Sequence, residues 1–324
     1  MINIRTDLAV ESRELYKKGS GREVPGVEVE VNSENEISIT TVKIVDEIGA
    51  KIMGKAIGNY ITIETPRIIH YDADFHDLLS KTLAKELGKL INLKENETAL
   101  VVGLGNWNVT PDALGPRVIS KLMITRHLKE YMPEQIDEGI NPVCAVAPGV
   151  LGITGIETAE IIQGIVSKVK PSVIIVIDAL ASRKMERVVT TIQIGDTGIS
   201  PGSGVGNKRM AFTKDTMGVP VIAIGVPTVV DAATMANDTI DMMIDNLIEQ
   251  TKDNKAFYEM LKDIDKNEKY VMIKEILNPY IGDLMVTPKE IDSLIEDMAK
   301  VIGNGINIAL HPAIDLKDVN RYIQ

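Results

Sequence analysis

Hydrophobic positions along the chain fall into short β-branched runs separated by stretches of helical spacing, and this alternation predicts the fold class. The central section reads as strand 98–103, helix 112–131, strand 142–147, helix 156–169 and strand 172–178. Repeated strand-helix alternation is the pattern of a mainly parallel sheet with right-handed crossovers, flanked by helices. Val173–Ile177 is uniformly β-branched, as expected of a strand buried on both faces, and it ends at Asp178. Further strands are predicted at 190–194 and 219–226, then helices at 227–249 and 288–310. Before the central section, residues 5–18 suit a short helix capped by Thr6 or Asp7. Residues 36–65 suit a small antiparallel β insertion packed beside the main sheet, and 74–91 a helix. The lysine- and aspartate-rich stretch 250–269 reads as an exposed connection within an otherwise single α/β domain.

The stretch Thr98–Pro116 concentrates the features of a ligand-facing loop. An apolar strand enters Gly103 and Gly105, a polar turn follows from Asn106 to Asn108, and Thr110, Pro111 and Asp112 supply helix-start chemistry. In an open α/β sheet, chemistry sits outside the carboxyl ends of the strands, which is where this loop lies.

Charge and cysteine content narrow the function classes. The 324 residues carry a formal net charge of -11, which argues against a general nucleic-acid or anionic-membrane binder. Cys144 is the only cysteine, so no intrachain disulfide is available, and a reducing cytoplasm is the expected compartment. No run approaches the roughly 20 apolar residues of a membrane span, and MINIRTDLAVES has no apolar signal core.

Spacing eliminates several familiar motifs. A dinucleotide fingerprint requires glycine where Asn108 stands. The run PGSGVGNKR has Arg209 at the position where a P-loop needs a hydroxyl, leaving only a weak phosphate cradle. His70, His76, His127 and His311 form no HExxH pair, and no Gly-x-Ser-x-Gly elbow follows a strand. What survives is a pair of acids at equivalent places, Asp112 after one parallel strand and Asp178 at the end of another. Two carboxylates over one sheet edge cannot both ionise cheaply, so one holds a proton while the other acts as a base, a water-activating arrangement. Backbone amides near Gly103, Gly105 and Asn106 are oxyanion-donor candidates. Plainer roles stand beside this one: Asp112 complementing a helix dipole, Asp178 capping 179–184, Asp196 making a turn, and Asp231 on the solvated face of its helix.

The runs GLGNWNVTPDALGP, APGVLGITGIET, IDALASR, TTIQIGDTGISPGSGVGNKR, GVPVIAIGVPTVVDA and LMVTPKEID resemble the spore germination proteases of endospore-forming Bacillota, from Ile4 to about Leu310. The resemblance implies a fold like that of the hydrogenase-maturation peptidases. It implies an endopeptidase of the spore core that degrades small acid-soluble spore proteins, assembles as a homotetramer, and needs neither metal nor other cofactor. It also places an atypical aspartic-type catalytic pair on Asp112 and Asp178, in NVTPDALGP and IDALASR.

The family is made as a self-trimming zymogen whose substrates resemble Thr/Leu-Glu-Ile/Phe-Ala-Ser/Thr-Glu, cut after the first Glu. Thr6-Asp7-Leu8-Ala9-Val10-Glu11 matches that pattern by residue type, so the resemblance points to Asp7-Leu8 as the processing bond and to residues 1–7 as a short propeptide. Recognition of substrate acids implies a basic contact, for which Arg183, Arg187, Lys208 and Arg209 are the candidates, the last two favoured by their place beside the glycine loop. Two other readings remain at this point: a metal-dependent peptidase of the same fold, and a phosphate- or nucleotide-binding protein using 195–209.

Overall fold

The computed structural model describes residues 6–65, 72–202, 209–250, 266–281 and 284–318. Along the chain these form α1 (Ala9–Ser20), β1 (Val27–Glu34), β2 (Ile37–Ile44), α2 (Glu47–Met53), β3 (Gly58–Glu64) and α3 (Ala73–Gly88). There follow β4 (Ala99–Gly103), α4 (Leu114–Ile119), α5 (Arg126–Tyr131), β5 (Val143–Val146), α6 (Leu151–Thr154), α7 (Thr158–Val169), β6 (Val173–Ser182) and β7 (Thr191–Gly195). The remainder comprises α8 (Lys214–Met217), β8 (Val221–Asp231), α9 (Ala232–Gln250), α10 (Lys266–Ile281), β9 (Met285–Val286) and α11 (Ile291–Leu310).

The strands form a mixed sheet in the order β1-β2-β3-β7-β8-β6-β4-β5, with β9 pairing β8. Its parallel part is the block β8-β6-β4-β5 expected from the strand-helix alternation. The remaining pairings are antiparallel, so the sheet is less parallel than the central section alone predicts. The small β element at the N-terminal side is continuous with the main sheet, because β3 pairs β7 from Tyr60↔Gly195 to Glu64↔Thr191.

Alternation within the parallel strands fills two cores. Val101, Ile175 and Ile177 face one layer, where Leu79, Leu83 and Leu87 of α3 and Ile295, Ile302 and Ile306 of α11 cover them. Leu100, Val102, Ile174 and Val176 face the other, against Ile162 of α7, Phe212 and Met217. Each such aliphatic side chain, fully buried, contributes about 1.5–3 kcal/mol before the entropy of ordering is deducted.

Four elements differ from their sequence pattern, the first being Glu47–Met53, which form α2 inside the stretch expected to be a β insertion, capped by Asp46 on the Gly49 N–H. The helix expected over 112–131 is broken into a 3-10 turn (Thr110–Asp112), α4 and α5. At the break, buried Asn307 of α11 accepts from the Met123 N–H at 2.9 Å and donates to the Lys121 carbonyl at 3.0 Å, replacing helical partners. The strand expected to stop at 226 runs to Asp231, so Pro227 lies inside β8 and does not start a helix. Asp231 is correspondingly buried and caps α9, accepting from the N–H and hydroxyl of Thr234; it is not on a solvated helix face. At the N-terminus, α1 starts one residue after Leu8, which gives no side-chain cap. His70, Lys208 and most of the expected 250–269 connection lie outside the described residues. Among the described residues no helix is long and apolar enough to cross a membrane.

Candidate active site

Asp112 is placed by a loop that folds back on itself. The β4 ladder ends with Gly103 opposite Ile177, and the Leu104 N–H still reaches the Ile177 carbonyl at 2.8 Å. The chain then turns at Gly105, whose φ of 114° suits only glycine and where a Cβ would stand 1.9 Å from the Asp112 carbonyl oxygen. Asn106 accepts from the Asn108 N–H through its side chain, and its own N–H donates to Asp112 Oδ2 at 2.8 Å. The Asp112 carboxylate therefore points back over the loop. Gly103 makes a different close approach, to Gly115 of α4, where a Cβ would meet the Gly115 carbonyl at 2.3 Å.

Asp178 lies within β6, not after it, in register with Gly225 of β8 and one residue beyond the end of β4. The strand continues past it to Ser182, so Asp178 is not a helix cap. The residue is 6% exposed, and its Oδ1 accepts from the neighbouring Ala179 N–H at 3.0 Å. Burial, then the charges of Asp112 and Asp7, push its carboxyl well above the usual range. Burial also raises Asp112, opposed by the Asn106 N–H. The two acids line one cavity of about 660 Å³, together with Gly105, Asn106, Asp7 and Arg209.

A third carboxylate in that cavity is Asp7, the residue that the family resemblance marks as the first of the processing bond. Its N–H donates to the Ala181 carbonyl at 3.1 Å, and its Oδ2 accepts from the Ala181 N–H at 3.0 Å. Residue 7 is thus docked on the end of β6, just past Asp178. Leu8 is buried against Leu180 and Ile199. Two contacts of this segment have no signal in the sequence: Lys55 Nζ and Gln193 Nε2 both donate to the Asp7 carbonyl, at 2.7 and 3.1 Å.

The expected basic contacts separate. Arg183 pairs with Asp238, and Arg187 is buried among Glu11, Glu14 and Glu64. Arg209 lines the cavity. Asp196 accepts from the N–H and amide of Asn59 at 2.8 and 2.6 Å, tying β7 to β3. Cys144 is half-buried in β5, and burial raises its thiol. His127 is exposed on α5, and His311 is buried at the end of α11.

A family model described as germination protease matches residues 4–262 and 245–323. The chain is 60% identical over 322 residues to the germination protease of Clostridium tetani, covering 99% of this chain and 100% of the relative. It is 60% identical over 324 residues to that of Clostridium perfringens, with both chains fully covered. It is 44% identical over 355 aligned positions to the germination protease of Bacillus subtilis, covering 98% of this chain and 96% of the relative. A peptidase reading follows from these matches. The chain belongs to the germination protease family.

Proposed function

We propose that this peptidase degrades small acid-soluble spore proteins in the spore core through Asp112 and Asp178, and that it is made as a zymogen cut at Asp7-Leu8. The observation that carries the reading is the docking of the chain's own Asp7 in the cavity that Asp112 and Asp178 share.

In this mechanism Asp178, the more deeply buried acid, holds the proton, and Asp112 is the base. Water lodged between them loses a proton to Asp112 as its oxygen attacks the peptide carbonyl carbon. Asp178 donates its proton to the leaving nitrogen, the C–N bond breaks, and the products are a carboxyl group and an amine. The Asn106 N–H keeps Asp112 aimed and favours its ionised form.

The segment Thr6–Glu11 lies as a substrate of the Thr-Glu-Ile-Ala-Ser-Glu type would. The first acid is on the Ala181 N–H, Leu8, Ala9 and Val10 are buried, and Glu11 accepts from the Arg183 and Lys184 N–H groups at 2.7 and 3.1 Å. A backbone amide, the Ala181 N–H, is thus one group that receives the first acid. The tetramer expected of the family is supported by an apolar face on α9 and α10, where Met242, Met243, Met272 and Ile276 are exposed.

The test is cleavage of a Thr-Glu-Ile-Ala-Ser-Glu peptide, with and without chelator, by the wild type, Asp112→Asn and Asp178→Asn. Loss of about 100-fold or more in kcat in each variant is the expected result. Full activity in either variant refutes the pair, and loss with chelator transfers the chemistry to a metal. N-terminal sequencing of active wild type is expected to begin at Leu8.

A further inference from the structure

The carbonyl of Asp7 is held more tightly than a passing chain segment requires. Lys55 Nζ donates to it at 2.7 Å and Gln193 Nε2 at 3.1 Å, while Gln193 Oε1 accepts from the Ala9 N–H at 2.6 Å. One amide side chain therefore grips the backbone on both sides of Leu8. Upstream, the Leu8 N–H donates to Thr6 Oγ1 at 3.1 Å, and Ala181 pairs with both the N–H and the carboxylate of Asp7. The carbonyl and amide of the Asp7-Leu8 bond each have assigned partners, and those partners come from three separate places in the chain, Thr6, Lys55 and Gln193.

We propose that Lys55 and Gln193 form the carbonyl clamp of the peptidase, holding the oxygen of the bond to be cut and fixing the backbone beyond it; this rests on the Asp7-Leu8 segment lying as a substrate does. When water attacks the carbonyl carbon, the pair of electrons displaced from the C=O bond settles on the oxygen facing the Lys55 ammonium and the Gln193 amide. As the tetrahedral carbon collapses, that oxygen re-forms its double bond, the C–N bond breaks, and the nitrogen leaves with a proton from the aspartate pair. Donors aimed at an oxygen that gains charge act most strongly in a dry site and need no reorganisation as the charge develops.

The surroundings of Lys55 suit such a role. It follows α2 at a turn, and its ammonium stands 5.9 Å from the centre of the Tyr60 ring. Tyr60 is itself fixed by bonds to the Ala56 carbonyl and the Thr197 hydroxyl. Burial lowers the Lys55 ammonium, and the Asp7 and Glu11 charges oppose that, so the cation is a weakly hydrated one. Beside the clamp, a second cavity of about 310 Å³ runs between Lys55, Gln193, Gly195 and Gly225. Asp7 lines both this cavity and the one that contains Asp112 and Asp178, so the clamp and the acids meet at that residue.

The full chain is tested in two assays, self-cleavage at Asp7-Leu8 followed by intact mass, and cleavage of the added Thr-Glu-Ile-Ala-Ser-Glu peptide. Lys55→Met is expected to lower kcat on the peptide by about 100-fold or more with KM changed little, since the lost donor serves the charged state. Gln193→Leu is expected to raise KM, because it removes a grip on the ground-state backbone. Both are expected to slow self-cleavage. Gln193→Glu keeps the shape and sets an acceptor against the carbonyl oxygen, so a kcat loss at an unchanged melting temperature supports the clamp even if Lys55→Met fails to fold. Wild-type kcat in Lys55→Met or Gln193→Glu on the peptide overturns the proposal, as does a variant that loses self-cleavage alone. A wild type that cuts the peptide yet keeps Met1 overturns the Asp7-Leu8 reading, and the peptide assay then decides the clamp by itself.

Discussion

Asp178 sets chemistry against stability. It occupies a position where its neighbours Ile174, Ile175, Val176 and Ile177 are all buried, and where Asp112 and Asp7 add like charge. Its folded-state pKa stands above the ordinary 3.8, so over the window upward from 3.8 the folded state binds more protons than the unfolded one. Its contribution is fully present below 3.8 and is lost as pH rises through the folded value. Asp178→Asn removes that titration while keeping the shape. The expected outcome is a higher unfolding midpoint than wild type at neutral and alkaline pH, with the gain shrinking as pH falls toward 3.8, in the same variant that loses peptide cleavage. A urea midpoint that is lower than wild type at neutral pH contradicts it. At this scale the sequence signalled Asp112 and Asp178 because each interrupts or follows an apolar run. It gave no signal of Lys55 or Gln193, which look like an ordinary turn lysine and an outward strand residue. Asp231 was misplaced because Pro227 looks like a helix start, whereas β8 carries it within the strand, its carbonyl accepting from the Val189 N–H at 2.7 Å.

Local spacing identifies elements well where their partners are near in sequence, as in the strands 99–103 and 173–177, and poorly where a distant side chain decides. The break between α4 and α5 is such a case. Nothing between Ser120 and Thr125 forbids a helix outright, yet Asn307, nearly two hundred positions away, satisfies the Met123 N–H and the Lys121 carbonyl. Asn307 is 1% exposed, and its removal leaves the backbone groups of half-buried Lys121 and Met123 without these partners. Each orphaned group costs about 1–3 kcal/mol. Because both groups are only partly buried, Asn307→Leu is expected to lower stability by about 1–3 kcal/mol, read as a drop in the urea midpoint. An unchanged midpoint indicates that the connection re-forms helical partners and that Asn307 does not hold the break open. The site loop before it is a second case. The glycine spacing marked a special turn, and the structure assigns Gly105 to close approach of Asp112 and Gly103 to packing on Gly115.

Across the whole molecule, the antiparallel extension and α1 are fastened to the parallel block by one buried cation. Arg187 donates through Nε to Glu64 of β3 at 2.8 Å, and through Nη1 and Nη2 to Glu14 of α1 at 3.1 and 2.6 Å. Nη1 also reaches Glu11 at 3.3 Å, and the Arg187 side chain is only 7% exposed. The sequence offers no hint of this joint, since its three acidic partners lie in two distant elements, α1 and β3, and the β3–β7 pairing beneath it spans more than a hundred residues. Because α1 follows the Asp7-Leu8 segment directly, the joint also holds that segment on the site. Removing one partner of a buried ion pair is costly because the other charges remain, by about 3–5 kcal/mol for a fully buried pair. Exposure of Glu14 and Glu64 reduces this. Arg187→Met is therefore expected to lower the unfolding midpoint clearly at neutral pH and to slow self-cleavage, with N-terminal hydrogen exchange rising first over residues 9–20. The pH dependence supplies the sign. Against the raising effect of burial, Arg187 and Lys184 hold the Glu14 carboxyl below its ordinary 4.5, so that contribution is present above 4.5 and is lost as pH falls through the folded value. The variant has less of it to lose. The gap between wild type and Arg187→Met should thus narrow as pH drops below 4.5, and a gap that widens on acidification refutes the role of Arg187 as the charged joint between the sheet extension and the site.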